Sequence, residues 1–125
     1  MSVTIEVVRS RKELKKFITF PELLYKGCEN WVPALRGDEF DNFNPKRNGA
    51  FEYCEAQCWL AYKNGRIAGR VAAIVNHRAN ELWKDETVRF GWLDFIEDEE
   101  VLKALLGKVA EYGKARGCVS MKGPL

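Results

Sequence analysis

The clearest pattern in the chain is a pair of neighbouring β-type runs. Residues Cys54 to Lys63 and Arg66 to Asn76 are rich in apolar side chains, and only the pair Asn64-Gly65 separates them. A two-residue connection of this composition favours a type I′ turn, because both residues adopt a positive φ at low cost. The pattern therefore predicts a β-hairpin.

Three further segments are predicted to be strands. Val3 to Val8 is a short β-rich run near the start of the chain. Thr87 to Ile96 is rich in aromatic residues, which favours a further strand of the same antiparallel meander. Val119 to Lys122 is predicted to be a last, short strand.

A helix is predicted between the first strand and the hairpin. Ser10 and Glu13 form an S-x-x-E arrangement, in which the two side chains cap the start of a helix reciprocally. Apolar residues continue along one face, but Phe20-Pro21 is expected to break or kink the helix, because proline disfavours the α conformation of the residue before it. One more short helix is expected from Pro33 to about Phe43.

A second amphipathic helix is predicted before the last strand. Asp98 is a suitable N-cap, and the helix is expected to end before Gly117. Its apolar residues recur at helical spacing: Val101, Leu102, Leu105, Leu106 and Val109. The element order is then β-α-(α)-β-β-β-α-β, which predicts a mixed α/β sheet with helices on its faces. If the last two strands are neighbours, the helix between them makes them parallel in a right-handed crossover.

The composition fits one folded domain, with 125 residues of which 46% are hydrophobic and 30% charged. The formal charge of +2 is too near balance for a wholesale electrostatic grip on nucleic acid or an anionic membrane. No run approaches the roughly 20 apolar residues of a membrane span, and the first residues do not resemble a secretory signal. A cytoplasmic location is therefore expected.

The cysteines and the histidine do not indicate a metal site. The four cysteines have irregular spacing, which fits reduced thiols, and His77 is the one histidine. Cys54 and Cys58 would lie about 13 Å apart along a strand, too far to share a zinc ion. We expect thiols in the core and no metal ligands.

The element order and several motifs resemble the GNAT acyltransferase superfamily. The segments 62–70 (YKNGRIAGR) and 89–96 (RFGWLDFI) look like its central hairpin and fourth strand. Other strings resemble the N-terminal part of a longer bacterial acyltransferase-like family: Tyr25-Lys26-Gly27, Asn30-Trp31-Val32-Pro33, Phe51-Glu52-Tyr53-Cys54-Glu55-Ala56 and Gly123-Pro124-Leu125. The resemblance implies a single GNAT-like domain over residues 1–125, without the C-terminal strands of the complete fold.

The same resemblance implies that acetyl-CoA or another acyl-CoA binds where the fourth and fifth strands separate. The matching backbone is Phe95, Ile96 and Glu97, and the helix start from Asp98 to Val101 would face the phosphates. The superfamily's usual phosphate loop has the form Q/R-x-x-G-x-G/A, whereas residues 97–102 read EDEEVL. Four successive carboxylates complement a helix dipole but repel a polyanion.

The implied chemistry is transfer of an acyl group from the CoA thioester to a small-molecule or peptide amine. Asp94 or Glu97 would be the general base for the incoming ammonium. Trp31 and Arg36, in the connection after the first helix, would lie on the acceptor side of the cleft. The superfamily's general acid would come after the fifth strand, beyond Leu125, so the chain alone is expected to be inactive.

Two other functions remain open from the sequence. One is a truncated, non-catalytic module that forms a homodimer or another complex, because a last strand at the sheet edge invites pairing with a second chain. The other is a nucleic-acid-binding loop, since Lys46-Arg47 lies near Phe43 and Phe51. At this net charge a solvated loop is favoured, and neither a nucleic acid nor a membrane is expected as a partner.

Overall fold

The predicted hairpin forms the centre of a five-stranded sheet whose order is β1-β2-β3-β4-β5. The computed structural model describes residues 3–28 and 36–124. Within them the strands are β1 (Thr4–Val7), β2 (Cys54–Lys63), β3 (Arg66–Asn76), β4 (Thr87–Phe95) and β5 (Ser120–Lys122). The α-helices are α1 (Arg11–Leu24), α2 (Arg36–Asn42), α3 (His77–Trp83) and α4 (Glu99–Ala115), and a 3-10 helix covers Gly49–Glu52.

The strand pairing confirms the predicted mixed α/β topology. β1 to β4 are antiparallel neighbours, and β5 runs parallel to β4 after the α4 crossover. At the hairpin Lys63 pairs with Arg66, and the two turn residues have positive φ values, 55° at Asn64 and 76° at Gly65. These are the signs required of a type I′ turn, so the strongest local prediction is confirmed.

Two apolar layers cover the two faces of the sheet. On one face α4 packs Val101, Leu105 and Val109 against strand residues such as Val71 and Val88. On the other face α1 and α2 pack against β2 and β3, with these residues in contact: Phe17, Ile18, Phe40, Phe43, Cys58, Leu60 and Ala72. The sheet is therefore the middle layer of a helix-sheet-helix arrangement, in which helices cover both faces as the sequence predicts.

The predicted helix starts are confirmed by their caps. Ser10 Oγ accepts the Glu13 N–H at 3.1 Å, while Glu13 Oε1 accepts the Arg9 N–H at 3.2 Å. Glu13 Oε1 also accepts the Ser10 hydroxyl at 3.2 Å, so the return bonds come from the Arg9 N–H and the Ser10 side chain and not from the Ser10 N–H, a small variation on the capping box. At α4 the N-cap is Asp98, whose carboxylate accepts the Glu100 N–H.

Of the expected break or kink at Phe20-Pro21, the break is wrong, because α1 continues through Pro21 to Leu24, and the kink stays a prediction. Proline has no N–H, so it leaves the carbonyl of the residue four positions earlier, Phe17, without its helical partner. The buried side chain of Arg70 on β3 supplies the missing donor, with Nη1 at 2.9 Å from the Phe17 oxygen. The Phe17 carbonyl is therefore hydrogen-bonded by a side chain of β3 instead of by a helical N–H.

The second expected helix lies partly outside the described residues. α2 begins at Arg36 and ends at Asn42, within the predicted span from Pro33 to Phe43. The structure does not describe residues 29–35, so the predicted helix start at Pro33 falls outside it. None of the helices in the two described ranges combines the length and the apolar character that crossing a membrane requires.

β4 contains a bulge that changes which face its side chains occupy. Ala72 pairs with Gly91, but Arg70 pairs with Asp94, so β4 has one extra residue between these pairs. Trp92 lies in this interval with a φ of 51°, a rare value for a large side chain. One additional residue reverses the alternation of the strand, so Trp92 and Asp94 both lie on the α1–α2 face.

We predict opposite effects for alanine at two glycines of α4. A β-carbon at Gly113 would lie 2.5 Å from Val88 Cγ1, whereas one at Gly107 has no atom within 4 Å. Gly113→Ala should therefore lower the free energy of unfolding by about 1–3 kcal/mol through overpacking. Gly107→Ala should raise it by up to about 1 kcal/mol, because alanine favours the helix. Urea denaturation of both variants measures the difference, and equal shifts would contradict the described packing of α4 on β4.

Candidate functional site

The candidate site lies where β4 extends beyond its pairing with β5. The register joins Thr87, Val88 and Arg89 to β5 and then stops. The chain after β5 still lies against Phe90, because a β-carbon on Gly123 would lie 2.6 Å from the Phe90 oxygen. From Gly91 to Phe95 no described strand pairs with this edge of β4. Backbone groups at an open edge can hydrogen-bond an extended amide ligand.

The backbone groups predicted to bind the acyl-CoA point to opposite edges of β4. The Ile96 N–H donates to the Ala68 oxygen at 2.9 Å, and the Ile96 oxygen accepts the Asp98 N–H at 2.6 Å. The backbone groups of Ile96 are thus used inside the protein. Because successive residues of a strand present these groups to opposite edges, the Phe95 N–H points toward the open edge. Glu97 follows as an exposed residue between strand and helix.

The N-terminus of α4 already holds a carboxylate. Asp98 caps the helix, with Oδ1 at 3.0 Å from the Glu100 nitrogen, and its other oxygen is bonded to Lys63 Nζ. Lys63 Nζ also lies 3.7 Å from Glu100 Oε2. The hydrogen bond from Lys63 holds the pKa of Asp98 below its ordinary value and raises the pKa of Lys63 itself. The helix start therefore carries its own anion with a matching cation.

A diphosphate does not fit this helix start as it stands. The Asp98 carboxylate accepts the Glu100 N–H, one of the donors that would bind a phosphate, and Val101 is buried with its side chain in the core. Glu97, Glu99 and Glu100 add negative charge around the same place, where Lys63 pairs with Asp98 and Glu100, and Lys103 pairs with Glu99. Of the predicted cofactor contacts, the strand edge suits an acyl-CoA and the helix terminus does not.

Asp94 belongs to a buried polar network that the sequence did not indicate. Arg70 holds one carboxylate oxygen of Asp94 with two nitrogens, Nε at 3.0 Å and Nη2 at 2.8 Å. The other oxygen accepts the Tyr25 hydroxyl at 2.7 Å. This hydrogen bond, followed by burial, raises the pKa of Tyr25. The tyrosine is therefore a proton donor at neutral pH, and Asp94 keeps two partners beside the bulge.

The bulge residue Trp92 is attached to α2. Its indole N–H donates to Glu39 Oε2 at 2.6 Å, and its ring lies 4.8 Å from the Phe43 ring centre. Phe43 in turn meets Phe17 of α1 edge to face, at 5.5 Å between the ring centres. These contacts join three parts of the chain on one face of the sheet: the β4 bulge, helix α1 and the segment that follows α2. The positive φ of Trp92 is thus held by packing on both sides.

Of the two residues predicted to lie on the acceptor side of the cleft, the structure describes Arg36 and not Trp31. Arg36 forms a bidentate pair with Glu22, with its Nη2 and Nε atoms at 2.6 and 2.8 Å from the two carboxylate oxygens. This exposed pair joins the start of α2 to α1. Trp31 lies outside the described residues. A role for either residue in binding an acceptor stays a prediction.

Among the described residues, the hydrogen-bond partners of the Asp94 carboxylate are Tyr25 and Arg70, and neither a thiol nor the histidine is one of them. Burial raises the pKa of the Cys58 thiol to about 12, so it is not a nucleophile at neutral pH. His77 Nε2 lies 2.7 Å from Glu55 Oε2, and Arg116 bonds the other oxygen of Glu55 at 3.2 Å. In the described ranges, no group of three or more potential ligand side chains is arranged to hold a metal ion.

Two curated bacterial proteins are similar in sequence to almost the whole chain. Protein YghO of Escherichia coli is 33% identical over 115 residues, which is 92% of this chain and 29% of that protein. The bacterial ceramide synthase of Caulobacter vibrioides is 30% identical over 118 residues, which is 94% of this chain and 31% of that protein. The chain thus spans less than a third of the length of both relatives. No protein-family profile matches it.

Solved structures share the fold at low sequence identity. A tandem GNAT protein of the clavulanic acid biosynthesis pathway has a TM-score of 0.70 and 12% identity, over 96% of this chain and 35% of that one. An aminoglycoside acetyltransferase from an uncultured soil sample, solved with sisomicin, has a TM-score of 0.62 and 14% identity, over 98% and 77%. A Clostridium acetobutylicum protein described as a predicted acetyltransferase, solved with acetyl-CoA, has a TM-score of 0.63 and 13% identity, over 96% and 79%.

We predict that removing one partner of the Arg70–Asp94 pair destabilises the fold more than removing both. Asp94→Leu leaves the buried guanidinium without its counter-charge and should cost about 3–5 kcal/mol of unfolding free energy. The double variant Arg70→Met/Asp94→Leu removes both charges and should recover most of that loss. Chemical denaturation of the single and double variants measures this coupling. Additive losses would show that the two side chains do not act as a pair.

Proposed function

The chain has the fold of the GNAT acyltransferases, and we propose that it forms the cleft of an acyl-CoA-dependent N-acyltransferase. The observation that supports this most directly is the β4 bulge beside the open edge from Gly91 to Phe95. An extended acyl donor can add to that edge as a strand would. The bulge turns Asp94 toward the adjoining cleft face, where an amine needs a proton acceptor.

In this proposal the acyl-CoA is bound by the edge of β4 and not by the N-terminus of α4. The outward backbone of Phe95 suits the amide groups of the pantetheine arm, and the CoA thioester supplies the activated acyl group when bound. The diphosphate has no place on the α4 terminus while Asp98 and Lys63 occupy it. We therefore propose that the phosphates lie away from this helix start, and that Val101 and Asp98 support the fold there.

The proton chemistry is assigned to Asp94, with Glu97 as a second carboxylate. An incoming ammonium must lose a proton before its nitrogen can attack a thioester carbon. Both Asp94 oxygens have partners, so the proton reaches Oδ1 through the Tyr25 hydroxyl, which accepts it while passing its own proton on. Glu97 is exposed and needs no such relay. The superfamily's general acid comes after the fifth strand, and no residue of this chain is assigned to it.

The acceptor is proposed to be an amine. A ceramide is an amide of a fatty acid with a long-chain amino alcohol, so the name of the Caulobacter relative describes N-acylation. The aminoglycoside acetyltransferase with sisomicin also acts on an amine-bearing class of molecule. Because the chain spans less than a third of its curated relatives, a complete reaction is proposed for the longer protein of which such a segment forms part.

We predict that acetyl-CoA raises the melting temperature of the chain and that adenosine does not. At ten times the dissociation constant a ligand adds about 1.4 kcal/mol to stability, which shifts the melting temperature by roughly 5 °C for a chain of this size. Differential scanning fluorimetry with millimolar ligand measures the shift. Equal curves with and without acetyl-CoA would count against donor binding by this chain.

The alternative function is a non-catalytic module that dimerises through its sheet edge. The carboxylate that already caps α4 favours this alternative, because it occupies the place of a phosphate. Strand β5 is short and exposed, and none of the described strands pairs with its outer edge. This alternative predicts a concentration-dependent dimer in sedimentation velocity, together with no response to acetyl-CoA. A strict monomer over a hundredfold concentration range would exclude the homodimer.

A further inference from the structure

The outer edge of β2 is open at its N-terminal end. β1 pairs with β2 as far as Trp59, and one further bond joins the Val8 N–H to the Cys58 oxygen at 2.9 Å. The chain then leaves the sheet and enters α1. In the described ranges no strand pairs with residues 54–57 on this side of β2. The sheet therefore has an open edge here that is separate from the open edge of β4.

Ala56 presents its backbone groups to this open edge. The Cys58 oxygen points to the β1 side, and the backbone groups of successive strand residues alternate between the two edges. The N–H and the oxygen of Ala56 therefore point to the β1 side as well, where the pairing with β1 has ended. Glu55 and Gln57 direct their groups to β3 instead. Ala56 thus offers one donor and one acceptor to an added strand.

A groove of about 460 Å³ lies along the same edge, and we call it the β2 groove. Its lining includes Ala56, Gln57 and Cys58 of β2. The apolar side chains around them come from α1, from α2 and from the segment after α2: Leu14, Phe40, Phe43, Pro45 and Phe51. An extended chain advances about 3.3 Å per residue, so residues 54–57 have the length of a bound segment of about four residues. The open backbone and the apolar groove are therefore two parts of one surface.

The charged residues in the lining of the β2 groove are both cations, Arg9 and Arg11. Neither guanidinium has an ion-pair partner among the residues that the structure describes. The Arg11 guanidinium lies 4.4 Å from the centre of the Phe40 ring, which keeps it at the groove wall. Glu13 is outside the lining, and its carboxylate accepts the Arg9 N–H and the Ser10 hydroxyl at the start of α1. The charge of the groove therefore favours an anionic ligand.

We propose that this surface binds an extended acidic peptide segment of another protein, which adds to β2 as a strand beyond the end of β1. Pairing with the Ala56 backbone supplies affinity, and the apolar groove and the two arginines select the side chains. Ala56 lies about 13 Å along β2 from Leu60, which is in the same row of the sheet as Asp94. The inference therefore does not depend on the proposed acyl transfer.

The open edges of a second copy of this chain fit the β2 groove poorly. Within residues 54–57 the one carboxylate is that of Glu55, which His77 and Arg116 already bond. The outer edge of β5 carries Lys122 and no carboxylate. Neither edge brings an unpaired anion to Arg9 and Arg11, whereas an acidic peptide does.

Isothermal titration of the chain with a defined hexapeptide tests the proposal. The probe is acetylated and amidated and has the sequence threonine-glutamate-valine-valine-glutamate-threonine. When the probe is extended, each of its two faces carries one glutamate and one valine, so either face suits the groove. Two comparison peptides have glutamine or lysine in place of both glutamates. The glutamate peptide should bind about four- to twenty-fivefold more tightly than the glutamine peptide at low salt, and the lysine peptide should bind least. Raising the salt concentration should reduce these differences.

Two charge-matched double variants test the role of the arginines. Arg9→Gln/Arg11→Gln should remove the advantage of the glutamate peptide over the glutamine peptide. Lys12→Gln/Lys15→Gln removes the same net charge at exposed positions of α1 outside the groove lining, and it should leave that advantage unchanged. Melting curves of both variants identify any loss of folding.

Amide hydrogen exchange tests the backbone pairing. At ten times the dissociation constant of the peptide, exchange at Ala56 should slow about tenfold, because the added strand protects its N–H. The amides of Glu55 and Gln57, which face β3, should be protected with and without peptide. N-methylation of the first or of the second valine should abolish binding for one of the two peptides, since alternate residues of a strand meet the edge.

Ala56→Pro removes the donor from the chain itself. Proline is tolerated on a strand where the N–H faces away from the sheet, so this variant is expected to fold and to lose peptide binding. If it does not fold, the N-methylated peptides still test the same hydrogen bonds.

Four results would overturn the proposal. The first is equal binding of the glutamate and lysine peptides, or binding of none of the peptides. The second is equal binding of both N-methylated peptides and the parent, which would show that backbone pairing is not used. The third is an Ala56 amide that stays unprotected when the peptide saturates the chain. The fourth is protection of Ala56 without peptide, which would show that a second copy or another part of the same chain covers this edge.

Discussion

One buried guanidinium connects the parts of the structure that matter for function. Arg70, on the central strand β3, donates to the carbonyl that Pro21 leaves unpaired in α1 and holds Asp94 just beyond the bulge of β4. A buried charge is tolerated only when it is paired and hydrogen-bonded, so these contacts have to form together. The Arg70 side chain therefore both allows α1 to continue through Pro21 and holds the Asp94 carboxylate in its orientation.

The bulge gives this carboxylate its direction. Without the additional residue in β4, the alternation of the strand would turn Asp94 toward α4, where Leu93 and Phe95 now pack against the core. With it, Trp92 and Asp94 lie under α1 and α2. Trp92 is hydrogen-bonded to Glu39 of α2, and Asp94 is hydrogen-bonded to Tyr25 at the end of α1. The side of the sheet assigned to the acceptor is thus defined by two polar contacts and by the edge-to-face and tilted contacts of three aromatic rings.

The sequence predicted what depends on neighbouring residues. The turn at Asn64-Gly65 and the caps at Ser10 and Asp98 each need only a few adjacent positions, and all three are present. The continuation of α1 through Pro21 was missed, because the compensating donor lies 53 positions away from Phe17. The bonds of Trp92 to Glu39 and of Tyr25 to Asp94 span 53 and 69 positions. No pattern within a single element indicates such pairs; an arginine inside an otherwise apolar strand was the one available sign.

The tight turn between β2 and β3 also has a consequence for the order in which the chain folds. Closing this turn orders two residues, whereas pairing Val7 of β1 with Trp59 closes a loop of roughly fifty, at about 3 kcal/mol more in closure entropy. The hairpin is therefore the expected nucleus, formed from local contacts before the N-terminal strand and helix are added. Since Arg70 lies on the hairpin, its charge stays in water until α1 and β4 arrive, and its desolvation belongs to the late, cooperative part of folding.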